Sequence, residues 1–486
     1  MTNDLTNVTK WQTIMFRLLV EKELREIIGT MKFAITFGVC SVLILLAFYV
    51  GAGNYQVSQS EYEAARAENI KQMEGLTDWQ RIDHRIFLPP QPLATLVSGI
   101  SNDIGRTTEM QTLGELRSEN SRFNEDPIFA VFRFLDLEFI FSIVLSLFAI
   151  LFGYDAINGE KERGTLRLSF ANSVPRDIYI LGKLVGAFLA LVVPLLIPIL
   201  VGCLMLPLLG VPMTGSAWAR LAMVMLSGYL YLGVFLTMSV FVSALTEKSS
   251  NSFLVLLVIW IFAVLIIPRT AVLVAGRAVD VPSIDKVNYD KNRFMAQLWQ
   301  EDRKKMQNYS EENPPSPNGD MQAWMDGFRT FMDALREERE EKRSAFGGRL
   351  NEDRRNREAV QQAVALSIAR LSPTSVFSLA STDLAGTSLD LKQRYTEAAN
   401  RYQESYAQFI REKTGSAGGG FMISIGGQDE EEPPPIDPYE LPVFEYEEPS
   451  SSTLINEALL DVGLLLLFNL FFFVGAFVAF LRYDVR

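Results

Sequence analysis

Charged side chains are concentrated between two long apolar stretches, in residues 155–183, which we call the connector. It contains the run Glu160, Lys161, Glu162 and Arg163. Carboxylate, ammonium and guanidinium groups at this density favour charge-assisted hydrogen bonds to a partner of complementary charge. The alternative is a loop that is basic only to fix membrane topology, but topology requires only lysine and arginine. The acidic residues therefore favour a binding role.

Catalytic chemistry has little support in the sequence. The single histidine, His84, excludes sites that need paired histidines, and the cysteines, Cys40 and Cys203, lie in separate apolar runs and suggest no metal site or disulfide framework. The one Gly-Lys pair, Gly182-Lys183, lacks the upstream glycine and the following serine or threonine of a phosphate-binding loop. We therefore expect no catalytic residue, no metal and no cofactor in this chain, and no ATP hydrolysis by it.

Apolar segments flank the connector and must position it. Hydrophobic residues make up 49% of the 486 residues, and a helix needs about 20 apolar residues in succession to cross about 30 Å of hydrocarbon. The predicted fold class is an all-α polytopic membrane protein, with six transmembrane helices and a mainly helical extracytoplasmic domain that contains some short strands. The six spans are predicted over residues 33–52, 132–153, 178–209, 219–245, 252–275 and 455–482.

Basic residues predict the orientation of these spans. They precede the first span, lie in the connector and follow the fourth and last spans, with Arg220 as the exception. The positive-inside rule then places both termini, and the loop over residues 154–177, in the cytoplasm. Residues 1–32 carry apolar residues at helical spacing between basic ones, which is typical of a helix at the membrane surface, and no signal peptide is evident. The net charge of −12 argues against a nucleic-acid partner.

Two carboxylates and two prolines in the predicted spans are candidates for the transport pathway or the membrane interface. Asp136 and Glu138 lie near the outer end of the second span, where the helix dipole favours acidic groups. A substrate or proton role is the alternative, because carboxylates inside a membrane are costly. Pro194 and Pro198 remove hydrogen bonds from the third span and are expected to kink or unwind it. They serve a conformational change, or they are the ordinary prolines of membrane helices.

Three segments are predicted outside the membrane. Residues 53–131 begin as a helix and continue as extended chain and turns. Residues 276–412 carry three apolar stripes at helical spacing, which predict a helical bundle whose aromatic residues form its core rather than a ligand site. Residues 413–454 are rich in glycine, proline and acidic residues, which favours a solvated linker over a site for a cation or a basic partner.

The connector resembles the first cytoplasmic loop of ABC-2-type transporter permeases. In that family a Gly-Glu pair precedes a Gly-Thr-Leu, a proline with a small or basic neighbour follows about ten residues later, and a Gly-Lys pair enters the next span. The chain also looks like the branch that contains the permease for nitrous-oxide-reductase maturation and the gliding-motility permeases, with large extracytoplasmic insertions. The matching residues are Gly159, Glu160, Gly164, Thr165, Leu166, Pro175, Arg176, Gly182 and Lys183.

The resemblance implies the permease subunit of an ABC exporter in a bacterial cytoplasmic (inner) membrane. A separate cytoplasmic ATPase would bind ATP and Mg²⁺ and push the connector, and a second permease chain, identical or paralogous, would complete the pathway. A mechanotransmission complex is the alternative, in which ATP hydrolysis moves the outer domain against an envelope partner and nothing crosses. A membrane-anchored scaffold without any ATPase is the third. The implied coupling residues are Glu160, Lys161, Glu162, Arg163, Gly164, Thr165, Leu166, Pro175, Arg176 and Lys183.

The residue types in the connector agree with its use as a contact for an ATPase. Gly164 is expected to allow a close turn, and Thr165 to cap a short helix that follows it. Leu166, Leu168 and Phe170 then supply an apolar surface for contact with the ATPase.

Overall fold

The structure is a computed structural model, and it describes residues 2–79, 82–112, 116–119, 136–171, 174–314, 321–414 and 435–482. The chain divides into two units by its internal contacts. The first unit comprises Met1–Leu265 and Ser372–Arg486, and the second comprises Ile266–Leu371.

The described residues fold almost entirely into helices. In chain order these are α1 (Thr2–Ile28), α2 (Met31–Met73), α3 (Leu137–Phe139, a π-helical turn over Ile140–Leu145, and Ser146–Gly153), α4 (Asn158–Glu162), α5 (Thr165–Ala171), α6 (Arg176–Leu208), α7 (Gly215–Leu245), α8 (Ser249–Trp260, a π-helical turn over Ile261–Ile266, and Ile267–Ala278), α9 (Ile284–Glu312), α10 (Met321–Ala369), α11 (Pro373–Ala385), α12 (Asp390–Thr414) and α13 (Ser451–Leu481).

Six helical segments in the described part of the chain are long and apolar enough to cross a membrane. This confirms the prediction of an all-α polytopic membrane protein with six spans. The predicted start of the second span, residues 132–135, lies outside the described residues. The six segments are Met31–Met73, Leu137–Glu162, Arg176–Leu208, Gly215–Leu245, Ser249–Ala278 and Ser451–Leu481.

Helix α2 is longer than the first predicted span. The sequence suggests a span over residues 33–52 and a separate helix near residues 60–75, but one helix covers both. The residues that follow Gly53 include many good helix formers and no proline, so nothing ends the helix where its apolar stretch ends.

The main core of the first unit is built around α7. Tyr231, Leu232 and Phe235 of this helix are completely buried, and they share one apolar cluster with residues of α2, α3, α6, α11 and α13. Helix α11 belongs to this cluster through Phe377 and Leu384. With only 13 residues it is too short to span a membrane. It nevertheless packs among the spanning helices, which the sequence prediction of an outer bundle over residues 276–412 did not anticipate.

Both π-helical turns lie at polar contacts within this core. In α3, the Ser142 carbonyl oxygen accepts a hydrogen bond from the Tyr231 hydroxyl at 2.8 Å. In α8, the Ala263 carbonyl oxygen accepts one from the hydroxyl of Ser372, the residue that caps α11. Because π-helical turns interrupt the regular ladder, their carbonyl groups can take partners from other elements. These bonds tie α3 to α7, and α8 to the start of α11.

A small sheet and α12 form a second packing centre of the first unit. Strands β1 (His84–Phe87), β2 (Thr107–Met110) and β3 (Arg117–Glu119) pair antiparallel in that order. Tyr402 and Tyr406 of α12 are buried in one cluster with β1 and β2 residues. The tyrosine stripe of α12 is therefore core, as its spacing predicts.

The segment before α13 differs from a solvated linker. Residues 415–434 of the predicted linker lie outside the described residues. Beyond them Ile436 and Leu441 are buried against α12 and the strands, and the Tyr402 hydroxyl donates to the Pro442 carbonyl oxygen at 2.7 Å. Further on, Glu448 forms an ion pair of 3.2 Å with Arg220 at the start of α7. Arg220, the basic residue that departs from the predicted orientation of the spans, thus has an acidic partner.

The second unit contains a long helical hairpin made of α9 and α10. Rings of Tyr309 and Phe331 stack at 4.2 Å between the two helices. Arg339 forms an ion pair of 2.8 Å with the buried Asp302 and lies over the Trp299 ring. Aromatic stacking and a largely buried ion pair therefore contribute to the packing of the hairpin.

Candidate coupling site

The connector folds as two short helices joined by a tight turn. Helix α4 begins three residues after Asp155, and Gly164 separates it from α5 with a φ of +75°. A side chain at this φ would be strained, so the glycine serves the close turn that the sequence predicts. The Thr165 hydroxyl donates to the Glu160 carbonyl oxygen at 3.2 Å.

The centre of the connector is a buried ion-pair cluster, which consists of Lys22, Glu23, Glu160, Tyr179 and Lys183. The Lys183 ammonium lies 3.0 Å from a carboxylate oxygen of Glu160 and 3.0 Å from one of Glu23. Lys22 donates to Glu160 at 3.0 Å, and the Tyr179 hydroxyl donates to its other oxygen. Glu160 is only 2% exposed. Its carboxylate therefore bonds within the chain and is not free to bind a partner.

The cluster joins three elements that are distant in sequence. Lys22 and Glu23 come from α1, Glu160 from α4, and Tyr179 and Lys183 from α6. Burial raises the pKa of the Glu23 carboxyl, and the adjacent Lys183 ammonium opposes that rise. The charge state of Glu23 thus depends on its contact with Lys183.

Two glycines of α6 permit this arrangement. A Cβ atom at Gly182 would come within 2.8 Å of Leu19 Cβ, and one at Gly186 within 2.7 Å of Glu23 Cβ. Only residues without a side chain allow α1 to lie so close to α6. The Gly182-Lys183 pair of the family pattern thus has two structural uses, because the glycine admits α1 and the lysine binds it.

A second polar network ties the connector to the turn between α7 and α8. Asn158 donates to the Thr246 hydroxyl at 3.0 Å and accepts from the hydroxyls of Ser243 and Ser249, each at 3.1 Å. The Glu162 carboxylate accepts from the backbone N–H of Ser249 at 3.0 Å, and the single hydroxyl proton of Ser249 is shared between the Asn158 amide oxygen at 3.1 Å and the Glu162 carboxylate at 3.0 Å. The connector is therefore held to both ends of this turn.

The return of the connector into α6 is fixed by the end of α13. Pro175 occupies the position directly before α6, and the next residue, Arg176, donates from its guanidinium to the Leu481 carbonyl oxygen at 2.6 Å. The same guanidinium lies over the Phe170 ring. Leu166 is 1% exposed and packs in a cluster with α6, α7 and α13. Leu166 therefore offers no apolar surface to a partner.

The accessible residues between Glu162 and Leu168, on either side of the buried Leu166, form what we call the exposed face of the connector. Leu168 is its one large apolar side chain, at 66% exposure. Lys161, beside this stretch, is half-buried. The residues of the exposed face are Glu162, Arg163, Gly164, Thr165, Arg167 and Leu168. A patch of both charges around one apolar residue is suited to contact with another protein.

The family model for ABC-2 family transporter proteins matches residues 17–485. The chain belongs to the ABC-2 transporter family. It is therefore a membrane component of an ABC transporter, a permease and not itself a catalyst. No curated protein shows significant sequence similarity to it, and the match defines the family but no branch within it.

The two candidate carboxylates of this permease lie at the start of α3. Asp136 caps the helix by accepting from the backbone N–H of Phe139 at 2.9 Å, and it also accepts from the Ser98 hydroxyl at 2.7 Å. Glu138, in the first turn, bonds to the Ser378 hydroxyl of α11. Asp136 thus acts as a helix cap, which is compatible with the helix-terminus interpretation, while a substrate or proton role of the two carboxylates stays a prediction.

The candidate prolines do not unwind the third span. Helix α6 runs without interruption through Pro194 and Pro198, and Pro198 is buried in the permease while Pro194 is partly covered. Neighbouring helices cover one side of the segment, which is compatible with a continuous helix despite the missing donors.

Sequence reasoning missed Glu23, Lys22, Asn158 and Tyr179 as members of the site. One signal for the cluster was present, since Lys183 stands at the start of an apolar span. A lysine there needs an acidic partner when it is buried. No comparable signal marks Asn158, because isolated polar residues at helix ends are common.

Proposed function

We propose that the permease receives mechanical work from a separate cytoplasmic ATPase through the exposed face of its connector. One observation carries the proposal. The connector is bonded by buried groups to α1 and α6 through Glu160, and to the turn between α7 and α8 through Asn158 and Glu162. A force on its exposed face therefore acts on several spanning helices together.

The buried position of Glu160 gives this transmission its physical basis. A charged group inside a protein keeps its partners because separation leaves an unpaired charge in a medium of low dielectric constant. The cluster therefore resists deformation, and a displaced connector carries α1 and α6 with it. ATP and Mg²⁺ belong to the ATPase, since the permease has no phosphate-binding loop.

The remaining features of the proposal concern the assembly. The ATPase binds on the side of both termini, which we place in the cytoplasm of a bacterial cell with the chain in its inner membrane. A second permease, identical or paralogous, completes the pathway, and the complex exports its substrate. The resemblance to the branch of the maturation and gliding permeases remains a prediction.

Leu168→Glu tests the proposal by placing a charge on the exposed face. We expect this variant to fold and to reach the membrane, but to copurify with less ATPase and to lose ATPase stimulation. Leu389→Glu is the matched control, because Leu389 is also an exposed leucine, at 48% exposure, outside the connector. If the two variants retain the same amount of ATPase, or if no ATPase accompanies the unmodified permease, the proposal is wrong.

The second unit favours one alternative, a mechanotransmission complex. Helix α10 has 49 residues, which at 1.5 Å per residue gives a length of about 70 Å. A two-helix hairpin of such length is suited to reach an envelope partner. Reconstitution in vesicles separates the functions, because an exporter moves its substrate into or out of them, whereas a mechanotransmitter hydrolyses ATP without any such movement.

A further inference from the structure

A closed path of buried hydrogen bonds joins four helices of the first unit. Its first half runs from α8 through α11 to α7. The Ser372 hydroxyl donates to the Ala263 carbonyl oxygen of α8 and accepts from the backbone N–H of Thr374 at 3.1 Å. The Thr374 hydroxyl lies 3.0 Å from the hydroxyl of Tyr231 on α7. Because Ser372 and Tyr231 are completely buried, these bonds lie in a medium of low dielectric constant, where they are strong.

The second half of the path returns from α7 through α3 to α8. The Tyr231 hydroxyl donates its one proton to the Ser142 carbonyl oxygen at 2.8 Å, so Thr374 is the donor in the bond between the two hydroxyls. The Ser146 hydroxyl donates to the same carbonyl oxygen at 2.6 Å and accepts from the indole N–H of Trp260 at 2.9 Å. Trp260 belongs to α8, where the path begins. We call this closed path the ring.

The ring includes both ends of the first unit where the chain leaves it and returns to it. The first unit is interrupted after Leu265 and resumes at Ser372. Ala263 lies two residues before the first of these points, and Ser372 is the second. The bond between Ser372 and Ala263 therefore joins, inside the first unit, the two chain connections of the second unit. A displacement of the second unit that pulls on either connection acts on this bond.

Both π-helical turns belong to the ring. Ser142 lies in the turn of α3, and Ala263 lies in the turn of α8. A π-helical turn contains one residue more than the α-helical turn that it replaces, so its return to α-helix shifts the adjoining chain by about one residue, which is about 1.5 Å along the axis and about 100° around it. Such a shift would move the two carbonyl groups away from Tyr231 and Ser372. The ring therefore favours the π-helical form.

We propose that the ring is a switch that couples the position of the second unit to the register of α3. Displacement of the second unit opens the bond between Ser372 and Ala263, the other bonds of the ring weaken, and the turn of α3 returns to α-helix. A closely packed interior suits such a switch, because it changes between discrete arrangements rather than deforming gradually. The inference concerns the permease alone, goes beyond the proposed coupling function and does not depend on it.

Hydrogen–deuterium exchange of the full-length permease in micelles tests whether the ring acts as one unit. Ser372→Ala removes a hydroxyl that bonds to α8 and α11. We nevertheless expect amide exchange at residues 140–145 of α3 to rise about fivefold, the effect of one lost hydrogen bond. Ser381→Ala is the matched control, because Ser381 is also a completely buried serine of α11 but donates to the Phe377 carbonyl oxygen of its own helix.

Double electron–electron resonance tests the coupling in the opposite direction. Spin labels are placed at Val360 of the second unit and Leu459 of α13, which are both more than half exposed, after the two native cysteines are replaced by alanine. Tyr231→Phe removes one hydroxyl of the ring, and we expect a second population of distances between the labels. Tyr229→Phe is the control, because the Tyr229 hydroxyl is buried on the same helix and has no hydrogen-bond partner among the described residues.

Two variants of Thr374 separate the switch from a general loss of packing. Thr374→Val keeps the shape of threonine and removes its hydroxyl, whereas Thr374→Ser keeps the hydroxyl. We expect the faster exchange and the second population of distances in the valine variant and neither in the serine variant. A single, unchanged distance distribution in Tyr231→Phe, equal exchange at residues 140–145 in Ser372→Ala and Ser381→Ala, or the same behaviour of both Thr374 variants would each overturn the inference.

Discussion

Replacement of Lys183 by methionine tests whether the buried ion-pair cluster holds the connector. Methionine keeps an apolar chain almost as long as that of lysine and removes the ammonium group, with its charge and its hydrogen-bond donors. The variant leaves Glu23 and Glu160 facing each other, with carboxylate oxygens within 4.8 Å. At an effective dielectric constant of about 20, two like charges about 5 Å apart repel by about 3 kcal/mol. Mutational experience with broken buried pairs gives about 3–5 kcal/mol. Because burial favours protonation of Glu23 once Lys183 is gone, which relieves this repulsion, we expect Lys183→Met to lower the free energy of unfolding by up to about 3 kcal/mol.

An exposed ion pair on α1 supplies the control. Arg25 lies 2.6 Å from Glu21, closer than Lys183 lies to either of its partners, but the Arg25 side chain is 80% exposed. Exposed pairs contribute at most about 1 kcal/mol, so Arg25→Met should change stability far less. Burial, and not distance, decides the difference between the two variants.

Equilibrium unfolding in mixed micelles, followed by tryptophan fluorescence, measures these free energies. The double variant Glu23→Gln with Lys183→Met removes one charge of each sign and leaves Glu160 with Lys22. We expect it to be more stable than Lys183→Met alone. The reasoning is refuted if Lys183→Met is no more destabilising than Arg25→Met, or if the double variant loses the sum of its two single effects.

Three further predictions concern other parts of the first unit. Gly182→Val should separate α1 from α6 and lower the melting temperature. The control is Gly463→Ala, which should leave the melting temperature unchanged or raised, because an added Cβ at this helical glycine would meet no atom of the described residues within 4 Å. Equal melting temperatures of the two variants would contradict the close packing of α1 and α6. Burial lowers the pKa of His84 from 6.5 to about 4, so the folded state favours the neutral imidazole. The contribution of His84 to stability is therefore complete above pH 6.5 and falls by about 3 kcal/mol as the pH drops to 4. His84→Gln should abolish this dependence of the melting temperature on pH, and an unchanged dependence would assign it to another group. Asn158→Leu should leave binding of the ATPase intact, as measured by copurification, but weaken stimulation of its ATP turnover by the permease. Loss of binding would mean that Asn158 only shapes the exposed face.

The spans were predictable because hydrocarbon thickness fixes the length of a crossing helix. A run of about 20 apolar residues has few other interpretations, and all six runs became helices. The turn at Gly164 and the buried tyrosines of α12 were predictable for a related reason, since each depends on local geometry or on helical period. In both cases the residues that determine the local structure lie within a few positions of the residue concerned.

The interior of the candidate site was not predictable in this way. Glu160 bonds to Lys22 across 138 positions of sequence, and neither spacing nor composition indicates which of the charged residues in the connector is turned inward. Sequence reasoning therefore treated Glu160 and Leu166 as surface for a partner, although packing against α1 and α6 buries them. Helix α11 was missed for another reason, because a 13-residue apolar helix is too short for the hydropathy criterion that identifies spans.

The burial of these residues changes what a coupling element must be. An exposed charged loop transmits force only through its two covalent ends, and flexible ends absorb most of a small displacement. Here the inward residues of the connector bond to α1, α6 and the turn between α7 and α8, so a push on the exposed face meets a folded structure. Interfaces of this kind are packed and shift as units rather than bending gradually. The charged residues of the connector thus differ in role, since Arg163 and Arg167 of the exposed face reach the surface, while Glu160 bonds the connector to α1 and α6, as the proposed coupling requires.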